Sequence, residues 1–129
     1  MAESKHNESF RELMDVVQHP GEPYRRIFTD DVFFELIIWF NNENNPTGFQ
    51  LCYDIGRRPC ALTLFPNSQH TCNNKIHTGE SDFYTIKASP ILAEQTPFPK
   101  ELCLQKFRTL SADLPDEISS FVLLWMEKY

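Results

Sequence analysis

With 129 residues, 41% of them hydrophobic and eleven of them Phe, the chain can bury one substantial core and is too short for two typical ones, so a single domain over 1–129 is expected. A formal charge of -6 and a pI near 5.1 repel polyanions, which sets nucleic acid and anionic membrane surfaces aside as partners. No apolar run reaches the length of about eighteen residues that a membrane-spanning helix needs.

In chain order, SFRELMDVVQ (9–18) places Phe10, Leu13, Met14 and Val17 at helical spacing behind Asn7 or Ser9 as a cap. A short amphipathic helix is expected there, stopped by Pro20-Gly21-Glu22-Pro23. From Val32 to Phe40, VFFELIIWF is dominated by aromatic and β-branched residues and reads as a strand. The turn formers of NNENNPTG (41–48) lead into GFQLCYDI, where Phe49, Leu51, Tyr53 and Ile55 alternate with polar or small neighbours, giving a hairpin. A second turn, Gly56-Arg57-Arg58-Pro59, precedes a third strand, CALTLF (60–65). Beyond Pro66, NSQHTCNNKIHTGES reads as a long polar loop with at most a little strand near Ile76, and DFYTIKA (82–88) as a fourth strand.

The period then changes. Pro97 and Pro99 introduce KELCLQKFRTL, with Leu102, Cys103, Phe107 and Leu110 on one helical face. Asp113 and Pro115 open DEISSFVLLWMEK, whose Ile118, Phe121, Val122 and Trp125 form an i, i+3, i+4, i+7 stripe.

Pairing Phe40 with Phe49 sets Phe34 opposite Ile55, Leu36 opposite Tyr53 and Ile38 opposite Leu51, an apolar face that Cys60, Leu62 and Leu64 extend. A slip of one residue would put Glu35 on that face. The expected fold is therefore α+β: an antiparallel meander of about four or five strands, packed on one face by two C-terminal helices, plus the short N-terminal helix.

The other sheet face is mixed. Phe33, Ile37, Trp39 and Phe65 share it with Glu35, Gln50, Cys52, Asp54 and Thr63, too apolar for water and too charged for an ordinary core. It asks for a cover, whether the N-terminal helix, the 66–80 loop, a second copy or a ligand. Phe33, Glu35, Ile37, Trp39, Gln50, Cys52, Asp54 and Phe65 are thus the candidate binding residues. Glu35 falls opposite Asp54, and like charges so placed separate in proton affinity, as acid/base catalysis requires; Arg57 or Arg58 would instead neutralise them. Asp30 and Asp31 are expected beside Arg57 and Arg58, with Arg25 and Arg26 upstream, as surface ion pairs or an anion site.

HTCNNKIH (70–77) gathers two His around one Cys. Cys60, His70, Cys72 and His77 could supply four zinc ligands, but the spacing matches no finger, ribbon or metalloprotease pattern. A Cys72 nucleophile beside a His would need an orienting group and an oxyanion site that nothing points to. Asn73, Asn74 and Thr78-Gly79 favour an exposed polar loop. The four glycines, at 21, 48, 56 and 79, allow neither GxGxxG nor a P-loop, and GxSxG and HExxH are absent. No catalytic residue, metal or cofactor is assigned. The opening MAESKHNESF lacks the basic start and apolar stretch of a secretory signal, so a cytoplasmic location is expected, with Cys52, Cys60, Cys72 and Cys103 reduced.

GFQLCYD at 48–54, ALT at 61–63, SPIL at 89–92 and the closing FV helix together resemble a family of small uncharacterised bacterial proteins, over roughly residues 24–126. The resemblance implies the same succession of strands and helices and brings no activity, cofactor or functional residue. That pattern usually has a Trp where this chain has Leu64, and a different loop after it, so a site built from His70, Cys72 and His77 is not a family trait.

What the residues favour is a non-enzymatic interaction protein, with a homodimer or another protein as partner. FVLLWM (121–126) is six consecutive apolar residues, and one helical stripe buries about half of them.

Overall fold

The computed structural model describes residues 9–66, 70–75 and 97–129, with 70–75 described through their backbone pairing. Within these residues an antiparallel sheet runs in strict sequence order: β1 (Arg11–Glu12), β2 (Tyr24–Thr29), β3 (Phe34–Phe40), β4 (Pro46–Tyr53), β5 (Cys60–Phe65) and β6 (His70–Lys75). Two helices follow, α1 (Lys100–Leu110) and α2 (Asp116–Lys128), joined through a single 3₁₀ turn at Ser111–Asp113. The α+β meander with two C-terminal helices is thus the fold, built on five strands of six residues or more plus the two-residue β1. No helix among the described residues is long and apolar enough to cross a membrane.

β3 is central, and all seven of its residues are buried, which suits the near-continuous Phe, Leu, Ile and Trp of FELIIWF. The β3–β4 register differs by two residues from the expected one: Phe34 pairs with Tyr53, Leu36 with Leu51 and Ile38 with Phe49. A shift of two preserves the faces, because side chains alternate with period two. The loop is correspondingly shorter than the asparagines suggest, since Pro46 already pairs with Phe40 across an irregularity between Trp39 and Phe40. Asn41 closes this turn, its side-chain oxygen accepting the N–H groups of Glu43 (2.8 Å) and Asn45 (3.0 Å).

Two expectations are corrected and one strand is added. Residues 9–18 form no helix; they carry β1 and then an irregular stretch in which Asp15 has φ 58° and the Leu13 N–H donates to the Ile27 carbonyl at 2.9 Å. Their apolar residues are spent on two sides of the sheet rather than on one helical stripe. β2 was not anticipated, because YRRIFT puts an Arg on each face and so hides its alternation. His70–Lys75 pairs with β5 as a strand, from Phe65 opposite His70 to Cys60 opposite Lys75, where a loop was expected. The strand proposed at 82–88 lies outside the described residues.

The main core lies between the sheet and the helices: Phe28, Phe34, Leu36, Ile38, Phe40, Phe49, Leu51, Tyr53, Leu62 and Leu64 against Cys103, Leu104, Phe107, Leu110, Ile118, Val122 and Met126. In α1 it is Leu104, not Leu102, that joins Cys103, Phe107 and Leu110 inside; Leu102 is exposed. In α2, Ile118, Val122 and Met126 are buried, while Phe121 and Trp125 stand half-buried at the margin. Phe10 reaches into this core from the N-terminal segment, its ring 5.9 Å from Phe34 and 5.4 Å from Phe107.

Candidate functional site

The second sheet face is built by alternation. Arg25, Trp39 and Gly48 form one cross-strand row, Ile27, Ile37, Gln50 and Thr63 the next, and Thr29, Glu35, Cys52 and Ala61 a third. Six of the eight candidate residues lie here: Glu35, Ile37, Trp39, Gln50, Cys52 and Phe65. The structure sends the other two elsewhere. Asp54 follows the end of β4 with φ 57°, a left-handed turn that takes its side chain out of the alternation, and its carboxylate lies 4.0 Å from the Arg57 guanidinium. Phe33 precedes β3 and packs on the helix-side core, edge-on to Phe34 at 4.8 Å and with the Lys106 ammonium 4.9 Å from its ring centre. The same turn moves Ile55 from the expected helix-side face onto Cys52 and Ala61.

This rearrangement removes the carboxylate pair. Glu35 is opposite Cys52, not Asp54. Glu35, Gln50 and Cys52 are buried, with 8%, 1% and 0% of their surface exposed. The Gln50 amide donates to Cys52 Sγ at 3.7 Å and its oxygen accepts from the Thr63 hydroxyl at 3.3 Å. Burial pushes the Cys52 thiol up to about 12, and that of Cys103, in the other core, also to about 12. Burial thus favours the protonated thiol over the thiolate at both positions.

The described cover for part of this face is the N-terminal segment. Leu13 and Val16 pack on Ile27, Ile37 and Trp39, together with Phe65, whose ring lies 5.1 Å from that of Trp39. Gly48 makes room for the Phe65 ring: a Cβ there would come within 2.2 Å of its Cδ2. Further along the segment, Gln18 satisfies the backbone of Arg25 in both directions, accepting its N–H at 3.0 Å and donating to its carbonyl at 2.8 Å. The buried Arg25 guanidinium donates to the Val17 carbonyl at 3.2 and 2.9 Å and lies 3.2 Å from His19 Nε2, which accepts.

The arginines are therefore dispersed rather than gathered into an anion site. Arg11 makes a two-point pair with Asp31 (2.8 and 2.9 Å), Arg26 another with Glu12 (2.9 and 2.9 Å), and Arg57 approaches Asp54. Asp30 caps the β2–β3 turn, accepting from the N–H groups of Val32, Phe33 and Phe34 at 3.2, 2.9 and 2.8 Å. Neither Asp30 nor Asp31 meets the Arg57–Arg58 turn in the pairing expected from the sequence.

Of the metal candidates, Cys60 and His70 occupy opposite ends of the β5–β6 ladder. Five residues at about 3.4 Å each separate their backbones by roughly 17 Å, more than one ion bridges. Cys72 is paired with Thr63 within the ladder, and His77 lies outside the described residues. Among the described residues no group of three or more His, Cys, Asp or Glu is placed to hold a metal ion.

Among the described residues one partly open apolar surface lies on α2; Met14, Val17 and Val32 are also exposed, but singly and away from it in the sequence. On one flank α1 closes against α2, with Arg108 paired to Glu127. On the opposite flank Phe121 and Trp125 are half-buried, Leu124 is 48% exposed and Lys128 covers the Trp125 ring at 5.1 Å. Phe121 meets Phe49 edge-on at 6.1 Å, which anchors this flank to the core.

No family model, curated protein or solved structure matches the chain.

Proposed function

We propose that the protein is a small non-enzymatic interaction module that self-associates, with the open flank of α2 as its contact surface. The observation that carries this reading is the exposed Leu124 set between half-buried Phe121 and Trp125, on a helix otherwise fixed in the core by Ile118, Val122 and Met126. Rigid, partly seated aromatic side chains beside an exposed Leu are the composition of an interface centre. Against an enzyme stands the second sheet face, where the Gln50 amide is engaged by Cys52 and Thr63 and the carboxylate pair read from the sequence, Glu35 with Asp54, is separated. Free thiols at Cys52, Cys60 and Cys103 fit the reducing cytoplasm as its site of action.

Sedimentation velocity tests this. The parent chain should move toward twice its 15.1 kDa mass over tens of micromolar, and Leu124→Asp should hold it at the monomer mass with an unchanged melting curve. A parent chain that stays monomeric over that range overturns the reading.

A further inference from the structure

Resting on that reading, the geometry of α2 points to one particular arrangement: we infer that two copies meet through their α2 helices, antiparallel about a twofold axis passing between Phe121 and Leu124. Glu117, Phe121, Leu124 and Lys128 are spaced 4, 3 and 4 residues apart, the spacing of a helix–helix seam. At 100° per residue they fall within an arc of about 60° on the flank away from α1. Glu117, Leu124 and Lys128 are exposed and Phe121 half-buried, so the whole arc is accessible.

The stripe is self-complementary in one direction only. Positions 117 and 128 have the same midpoint as positions 121 and 124. Laid antiparallel on a copy of itself, the stripe sets Glu117 against Lys128 and Phe121 against Leu124, each pair occurring twice, as a twofold contact requires. A parallel arrangement would put Glu117 on Glu117 and Lys128 on Lys128, like on like.

At the acidic end, among the described residues, Arg26 is the cation coupled to Glu117, and its guanidinium already holds Glu12 through two hydrogen bonds of 2.9 Å. Lys128, resting on the Trp125 ring, is held near the other end of the stripe rather than free to sweep through solvent. A single thirteen-residue helix per copy makes a contact at the small end of the range for specific interfaces, so the dimer is expected to be a micromolar one.

The test is a charge exchange read by sedimentation equilibrium at low salt, on the full chain. Glu117→Lys alone and Lys128→Glu alone each set like charges together twice per dimer and should weaken association roughly tenfold. The double variant Glu117→Lys with Lys128→Glu recreates both pairs with their signs reversed and should restore association to within about twofold of the parent. Thermal melts of all three variants check that the monomer is intact, since Glu117→Lys also places a cation in the first turn of α2. If the parent dimerises and Leu124→Asp abolishes it, but the single exchanges have no effect or the double variant does not recover, the antiparallel pairing is overturned while the α2 contact stands. If the parent does not associate, both fall.

Discussion

On the helix side of the sheet, Phe34, Leu36 and Ile38 face a continuous layer of apolar side chains from α1, α2 and Phe10. On the opposite side the same strand presents Glu35, Ile37 and Trp39, and the neighbouring strand Gln50 and Cys52, all buried, over a patchwork of small clusters. One strand thus serves two interiors of different chemistry. The first depends on volume and shape, because its groups are nearly all hydrocarbon and every methylene removed leaves a void. The second depends on partnership, because a buried amide or carboxylate is tolerated only while its hydrogen-bonding groups are satisfied.

The contrast is broken most forcefully on the helix side. Phe107→Ala, between Phe10 and Phe34, should cost about 3–5 kcal/mol in urea unfolding, as large-to-small aromatic substitutions in packed cores do. A loss below about 1 kcal/mol would mean that this layer is not close-packed.

A smaller effect is expected on the other side. Gly48→Ala forces a methyl against the Phe65 ring, which must move away from Trp39; about 1–3 kcal/mol should be lost, with a change in Trp emission that Phe107→Ala does not reproduce. If the emission is unchanged, the ring is not held over Gly48.

The smallest effect belongs to the sheet edge. The Arg26 hydrogen bonds hold the Glu12 carboxyl below its ordinary value of 4.5. A carboxylate with a depressed folded-state pKa stabilises the fold fully above the unfolded value and loses that contribution as pH falls through the folded one. Glu12→Gln should therefore cost under about 1 kcal/mol at pH 7 and low salt, since the pair is partly exposed, and the difference from the parent should begin to shrink below 4.5 and vanish once the pH has fallen through the lowered folded-state value. A difference that persists in acid would assign the effect to packing instead.

The helix side was nearly transparent in the sequence. The boundaries of β5, α1 and α2 follow directly from CALTLF, KELCLQKFRTL and DEISSFVLLWMEK, because strict alternation and helical spacing report burial on one side only. The pattern also identified the faces of β3 and β4 despite a register wrong by two, since alternation is blind to even shifts. What it could not report was the chain's behaviour where the backbone leaves regular geometry. The left-handed turns at Asp31 and Asp54 reassign Phe33, Asp54 and Ile55, and nothing in their residue types announces it beyond an Asp that tolerates positive φ. The N-terminal segment misled for a related reason. Phe10, Leu13, Met14 and Val17 fall at helical spacing, yet Phe10 enters one interior, Leu13 enters the other beside Val16, and Met14 and Val17 are exposed. A segment that crosses a sheet edge uses its apolar residues on both sides, and helical spacing is then coincidence.

Gln18 does more than tether that segment. Its amide occupies the hydrogen-bonding groups of Arg25 that an incoming strand would use, and just beyond it Leu13 and β1 occupy those of Ile27 to Thr29. This margin of the sheet consequently offers no ready template on which copies could stack without limit into fibrils, so the twofold contact proposed for α2 would not compete with polymer growth from β2.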